Sequence, residues 1–157
     1  MMRSIYPWPM NEFLTLFTRA AKLMRIATDE AMSQHGVRVG QNVILEALWA
    51  SDGLTPGEIA ERLHMATPTI VKSASRMAAA GLLARERDPA DGRLVRLCLT
   101  DRARSVRAVI ERERTELERR ATAALTDDER HHLYSALAKI NSEFADVVPP
   151  PDDPAAD

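Results

Sequence analysis

Basic side chains are concentrated in the middle of this 157-residue chain, whose net charge is −2. Residues 55–107 contain ten basic and six acidic groups, a balance of +4, so the rest of the chain carries −6. Guanidinium and ammonium groups gathered in one segment neutralise phosphates and donate hydrogen bonds to them. The distribution indicates that the middle of the chain binds a polyanion. The ten basic residues are Arg62, Lys72, Arg76, Arg85, Arg87, Arg93, Arg96, Arg102, Arg104 and Arg107.

The histidines, by contrast, form no recognisable site. His131 and His132 are adjacent, and one helix cannot direct adjacent side chains at one metal ion. His35 and His64 stand at no metal-ligand spacing, and the sequence contains neither a G-x-S-x-G nor a P-loop motif. We therefore predict no metal, no cofactor and no enzymatic activity.

Cys98 is the single cysteine, so it cannot form an intramolecular disulfide. An inert, partly exposed thiol and an oxidant-sensing thiol both remain open for it. Residues 1–10, MMRSIYPWPM, are predicted to be an N-terminal arm and lack the apolar core of a signal peptide. No apolar stretch approaches the ~18–20 residues that span a bilayer. We expect a cytoplasmic protein that does not contact membranes.

Two closely spaced helices are predicted in the basic segment. Thr55 and Glu58 have the spacing of a capping box, which predicts a short helix ending near His64. A second start signal follows at once, and predicts a helix from Thr67 to Ala80. Two helices joined by a turn of three or four residues are typical of a helix-turn-helix.

A small hairpin is predicted directly after these helices. Residues 82–87 and 94–99 alternate apolar and polar side chains on either side of Asp91-Gly92. This pattern predicts two antiparallel strands around a type I′ turn. It is the only strong β signal in the sequence.

Helices are predicted on both sides of this central segment. Apolar residues at three-and-four spacing predict helices over 11–34, 39–50 and 101–124. A capping box predicts a last helix over 126–146. The tail VVPPPDDPAAD, residues 147–157, is predicted to be disordered. The last helix has one apolar stripe, formed by Leu133, Leu137, Ile140 and Phe144.

The order of these elements resembles the MarR family of winged helix-turn-helix transcription regulators. The most specific match is LTPGEIAERLHMATPTIVKSASRMAAAGLLARERDPADGRLVRLCLT at 54–100, which contains a scaffold helix, a recognition helix ending in GLL, and a wing with D-x-R and L-x-L-T. The resemblance implies a mainly α fold with a small two-stranded β-wing, in a single domain at 11–146. In that fold the winged helix-turn-helix, about 39–100, is flanked by N- and C-terminal dimerisation helices at about 11–34 and 101–146.

The second helix of a helix-turn-helix lies in the major groove of DNA. Ile70, Ala74 and Met77 recur at helical spacing and are expected to face the core. The opposite face would then contact DNA. It comprises Thr67, Pro68, Val71, Lys72, Ser75 and Arg76, and the Thr69 methyl is also a candidate contact.

The hairpin extends the predicted contacts to the minor groove. A strand rises about 3.3 Å per residue, so the turn projects roughly 15–20 Å from the body. The resemblance implies that Arg93 is the wing-tip arginine, while Asp91 and Gly92 form the turn. Arg96 is expected to approach phosphates from the strand. Family members often carry a second basic residue at the position of Gly92.

The outer helices have apolar stripes that the central segment does not need. The resemblance implies a homodimer made from both termini. A two-fold dimer places its recognition helices about 34–36 Å apart and binds a pseudo-palindromic operator in double-stranded DNA.

Family members commonly bind aromatic acids between the dimerisation helices and the winged domain. Met32, His35, Arg38 and Trp49 are candidates for lining such a cleft. We therefore expect a DNA-binding regulator, most simply a repressor released by a small ligand. The alternative is a winged-helix protein-interaction module without specific DNA binding.

Overall fold

The computed structural model describes residues 12–147. The predicted N-terminal arm and all of the predicted disordered tail except Val147 lie outside these residues. The described part has seven α-helices, one two-stranded antiparallel sheet and a final 3-10 turn at Ala145–Val147. The elements are α1 Glu12–Ser33, α2 Gln41–Ala50, α3 Pro56–Leu63, α4 Thr67–Ala79, β1 Leu83–Arg87, β2 Val95–Leu99, α5 Asp101–Ser105, α6 Arg107–Thr122 and α7 Asp127–Glu143.

The predicted mainly α fold with one small β-wing is confirmed. The prediction of one continuous helix over 101–124 was wrong. The structure divides this stretch into α5 and α6 at Val106. The ψ angle of Val106 is −8°, far from the helical value of about −42°. This break allows α5 to pack beside β2 while α6 packs against α1.

The hydrophobic core lies where α2, α3 and α4 meet the base of the hairpin. Each fully buried aliphatic side chain contributes about 1.5–3 kcal/mol relative to an exposed one. Ile110 of α6 and Met32 of α1 also join this core, so the outer helices are anchored to the winged region. Its largest side chains are Met32, Val37, Ile44, Leu45, Leu48, Ile59, Ile70, Met77, Leu82, Leu97 and Ile110.

The outer helices bury far less. Met32 is the only buried residue of α1, and α7 has none. An apolar groove of about 740 Å³ runs between α1, α2, α6 and α7. The walls of this apolar groove include Phe17, Leu23, Met24, Val43, Leu117 and Leu133.

No helix between residues 12 and 147 is both long enough and apolar enough to cross a bilayer.

Candidate DNA interface

The recognition helix α4 is amphipathic, as its sequence predicts. Ile70, Ala74 and Met77 are buried in the core. The side chains on the opposite face are exposed and include Pro68, Thr69, Val71, Lys72, Ser75 and Arg76. Lys72 and Arg76 therefore lie one turn apart on an accessible surface.

Thr67 is the first residue of α4, and it does not cap the helix. The N-cap is Ala66, which makes no side-chain capping bond. The Thr67 hydroxyl oxygen is buried and has no hydrogen-bond partner among the residues that the structure describes. Thr67 is partly buried, whereas its neighbours Pro68 and Thr69 are exposed.

The scaffold helix α3 is fixed at both ends. Thr55 Oγ1 accepts a hydrogen bond from the Glu58 N–H at 3.2 Å, and Glu58 Oε2 accepts one from the Thr55 N–H at 2.7 Å. This is the predicted capping box. At its other end His64 adopts a left-handed conformation with φ of 51°, which turns the chain sharply toward α4.

The hairpin is anchored at its base and solvated toward its tip. Leu83 pairs with Leu99, and both are buried. Leu97 is buried as well, and its N–H donates to the Leu54 carbonyl at 2.8 Å, which adds a one-residue bridge beside β2. Apolar burial therefore holds the strands near the helices, whereas the tip depends on polar contacts.

The tip of the hairpin is organised by Asp88. Its Oδ1 accepts hydrogen bonds from the N–H groups of Ala90, at 2.7 Å, and Asp91, at 2.9 Å, and its Oδ2 accepts one from Arg96 Nε. The carboxylate is only 6% exposed. Hydrogen bonds from the Asp91 N–H, the Arg96 guanidinium and the Ala90 N–H lower the pKa of Asp88 below its ordinary value. Sequence reasoning missed this residue.

The predicted type I′ turn at Asp91-Gly92 was wrong. That turn requires a positive φ at both central residues, and neither residue has one. The connection is longer: the Asp88 N–H donates to the Leu94 carbonyl at 2.9 Å, and the Leu94 N–H donates to the Asp91 carbonyl at 3.0 Å. Asp91 Oδ1 accepts from the Arg93 N–H at 3.1 Å, so Asp91 supports the turn internally.

The two wing arginines have different surroundings. The Arg93 side chain is 93% exposed, and its Nε lies 3.4 Å from Asp91 Oδ1. Arg96 instead contacts Asp88, donates from Nη1 to the Gly53 carbonyl at 2.7 Å, and lies 3.6 Å from Glu58. These contacts raise the pKa of Arg96, mainly through the hydrogen bond to Asp88. Arg96 thus joins the wing to the start of α3.

A second contact joins the hairpin to the recognition helix. Arg85 Nη2 on β1 donates to Ser75 Oγ at 2.5 Å, and that hydroxyl donates to the Val71 carbonyl at 3.0 Å. Ser75 is exposed but already engaged on both sides. The spacing of these residues did not reveal this contact, because they lie on different elements.

The structure does not bring the four candidate ligand residues into one cavity. Met32 lines the apolar groove, and Arg38 lines a polar cleft on another side of α1. His35 Nε2 lies 3.1 Å from Glu113 Oε1. Trp49 donates from Nε1 to the Ala103 carbonyl at 3.1 Å. These partners lie far away in the sequence, so the local pattern did not predict them.

Cys98 lies on β2, partly buried. Burial, together with the nearby carboxylates of Glu86 and Asp52, raises the pKa of its thiol. The thiolate form, which is the reactive one, is therefore disfavoured. This environment favours the inert thiol of the two interpretations that the sequence left open.

Residues 35–94 match the model of the MarR family, the family that the sequence motifs resemble. The transcriptional regulator TtmR of Methylorubrum extorquens, an HTH-type protein, is 29% identical over 113 residues. The alignment covers 72% of this chain and 57% of TtmR, so the chain spans little more than half the length of that relative.

Solved structures of MarR-type regulators share the fold. The organohalide-sensing regulator RdhR, in its 2,4-dichlorophenol-bound form, superposes with a TM-score of 0.82 at 17% identity, covering 94% of this chain and 88% of RdhR. BpsR of Bordetella bronchiseptica, whose DNA binding is regulated by 6-hydroxynicotinic acid, has a TM-score of 0.76 at 22% identity, covering 87% and 98%.

Proposed function

The chain carries the winged helix-turn-helix of the MarR family, and from this premise we propose that it is a sequence-specific DNA-binding regulator of transcription. The observation that carries the proposal is the pairing of α4, exposed and basic on its outer face, with a wing whose tip presents Arg93. An α-helix fits the major groove, and an arginine on a projecting hairpin fits the adjacent minor groove.

The residues of α4 divide into two kinds of contact. Lys72 and Arg76 bind base edges or phosphates, and each bidentate base contact is worth about 1–3 kcal/mol of discrimination. Val71 and the Thr69 methyl pack on thymine methyl groups. Pro68 and Thr67 bring the start of the helix close to the DNA.

Arg96 has a different role from the phosphate contact expected for it. Its guanidinium is engaged by Asp88, Glu58 and the Gly53 carbonyl. It therefore positions the wing relative to α3, so that Arg93 lies at a fixed distance from α4. Ser75 likewise holds Arg85 and contributes to DNA binding through the hairpin.

The regulator acts as a homodimer. Phe13, Leu16 and Leu23 of α1 are each more than half exposed in the single chain. Monomeric proteins rarely expose apolar surface of this extent, and a second copy would cover it. A two-fold pair of winged regions reads two half-sites about one DNA turn apart, in a pseudo-palindromic operator.

Repression is relieved by a small aromatic effector. Chlorophenol and hydroxynicotinic acid are named with RdhR and BpsR. In this chain the inner end of the apolar groove contains Met32 and Glu46. Glu46 Oε2 pairs with Arg114, while Glu46 Oε1 is buried without a hydrogen-bond partner among the described residues. An aromatic molecule with a hydroxyl or N–H donor satisfies that oxygen.

We propose no enzymatic activity for this chain, and a regulator of this kind acts in the cytoplasm, with the chromosome. The direct test is selection of genomic fragments by the purified protein, followed by mobility shifts over a series of salt concentrations. We expect a pseudo-palindromic sequence that is bound about 10³-fold or more tightly than unrelated DNA. Equal affinity for all DNA would refute the proposal and favour a protein-interaction module.

A further inference from the structure

A polar cleft lies between α1, the loop that follows it, and α4. Its volume is about 760 Å³, comparable to that of the apolar groove, but its walls are charged. Four basic and two acidic side chains line it. They are Lys22, Arg25, Arg38, Arg76, Asp29 and Glu30.

Most of the positive charge in the polar cleft is unpaired. Arg38 Nη2 pairs with Asp29 Oδ2 at 3.0 Å, and Asp29 Oδ1 accepts from the Val39 N–H at 3.1 Å, so this carboxylate is already satisfied. Lys22, Arg25 and Arg76 make no ion pair with any residue between 12 and 147. Glu30 offsets one of these three charges, and the cleft keeps a net positive charge.

The cleft lies beside the recognition helix, on the side away from the wing. Ser75 faces the hairpin through Arg85, whereas Ser73 and Arg76 face the polar cleft. The outer surface of α4 is thus bordered by basic residues on both sides. Arg76 belongs to the DNA-facing surface and to the cleft at once.

Two faces of α1 serve two purposes. Lys22 and Arg25 are three residues apart and line the polar cleft, whereas Phe17 and Met24 line the apolar groove. At 100° per residue, Lys22 and Arg25 share one side of the helix, and the groove residues share a neighbouring one. Covering the apolar face with a second copy leaves the basic face available to a further partner.

We propose that Lys22 and Arg25 bind phosphates of the DNA backbone beside the major groove, so that the DNA-binding surface extends from the winged region onto α1. This inference rests on the proposed function. Contacts of this kind fix the register of the protein on DNA without reading its sequence. They add to affinity through release of counterions, whose signature is the dependence of binding on salt.

The test compares the full chain with K22Q/R25Q by fluorescence anisotropy on the selected operator and on unrelated DNA. Each lost phosphate contact lowers the slope of log K against log[salt] by about 0.9. The dimer loses four such contacts, two per protomer, so we expect the slope to fall by about 3.6. The variant should then lose about 150-fold less affinity than the wild type between 50 and 200 mM salt. Affinity at low salt should fall equally on both DNAs.

Two matched variants isolate the effect. R112Q/R120Q removes the same charge from exposed positions of α6 outside the cleft, and its slope should change by less than half as much. K22R/R25K keeps both charges and should retain the wild-type slope. All comparisons are made at concentrations where sedimentation shows dimers of each protein.

The two proposals fail in different ways. A wild-type protein that shows no preference for any DNA sequence would refute the proposed function. If the wild type binds its operator and K22Q/R25Q keeps the full salt slope, the proposed function stands and the role of α1 is refuted. A slope that falls equally in R112Q/R120Q would also refute it, because the effect would then follow net charge rather than the cleft.

Discussion

The winged region and the outer helices use similar apolar residues with opposite results. Ile44 of α2 and Ile70 of α4 are fully buried within one chain. On α1, Leu16 is 55% exposed, and no residue of α7 is buried. The winged region buries its apolar side chains within one chain, whereas many apolar side chains of the outer helices stay exposed to solvent.

This difference in burial indicates which region is stabilised within one chain and which region needs a second copy. Burial of each large aliphatic side chain contributes about 1.5–3 kcal/mol, so the winged region has its stabilisation without a partner. In the dimer that we propose, the outer helices gain further stabilisation when a second copy covers the apolar groove. Their stability should therefore depend on protein concentration, and that of the winged core should not.

The largest expected effect is in the winged core. Ile70→Ala removes a fully buried side chain between α4 and its neighbours, and should lower the free energy of unfolding by about 2–5 kcal/mol. Urea unfolding followed by circular dichroism measures it. The loss should be the same at every protein concentration.

Leu16→Ala is the matched variant on the outer helices. Its destabilisation should grow with protein concentration, because it removes a side chain of the proposed dimer interface. If the two variants show the same concentration dependence, the separation between the two regions is wrong.

The next effect concerns the dimer. Phe17→Glu with Leu23→Glu places two charges on the wall of the apolar groove, where a partner would have to bury them. We expect a monomer by sedimentation and an operator affinity at least about 100-fold lower, because binding of linked half-sites gains 10²–10⁴ from effective concentration. Gln34→Glu changes an exposed residue directly after α1, and it should leave the dimer and the operator affinity unchanged. A dimer that persists in the double variant would contradict the interface.

The sequence predicted regular structure better than polar contacts. Spacing of three and four revealed the helices, and alternation revealed both strands, because these patterns depend on neighbours within one element. Arg96 and Asp88 illustrate the limit. Arg96 was expected at phosphates, but its partners come from Asp88, Glu58 and Gly53, and only the folded loop brings them together.

The surroundings of the candidate ligand residues could not be predicted either, because their partners lie still further away in the sequence. His35 lies beside Glu113, which is 78 residues away, and Trp49 donates to Ala103, 54 residues away. No local pattern encodes such pairs in a single sequence. The exposed face of α4 was predictable because burial of Ile70, Ala74 and Met77 follows from helical spacing alone.

A smaller effect separates the two wing arginines. Arg93→Ala removes a freely exposed guanidinium, and should weaken operator binding about 10–100-fold, a loss of about 1–3 kcal/mol, with an unchanged Tm. Arg96→Ala should lower Tm as well, because it leaves Asp88 without its cationic partner. Anisotropy and thermal unfolding measure the two variants. An operator affinity that Arg93→Ala leaves unchanged would refute the minor-groove assignment.

The smallest effect tests whether charge, rather than apolar burial, sets the shape of the wing tip. Asp88→Asn keeps an acceptor for the Ala90 and Asp91 N–H groups but loses the carboxylate that Arg96 binds. We expect a Tm lower by a few degrees at neutral pH, with Asp101→Asn, an exposed carboxylate on α5, as the control.

The stability that the Asp88 carboxylate contributes should depend on pH. The folded pKa of Asp88 lies below its ordinary value of 3.8, so the carboxylate contributes stability above about that pH and loses it as the pH falls through the folded value. The difference in Tm between wild type and Asp88→Asn should therefore be constant from pH 8 to about 5 and should narrow below about pH 4. A difference that stays constant down to pH 2 would show that the ion pair contributes nothing, and that the tip, like the hairpin base, depends on neutral contacts alone.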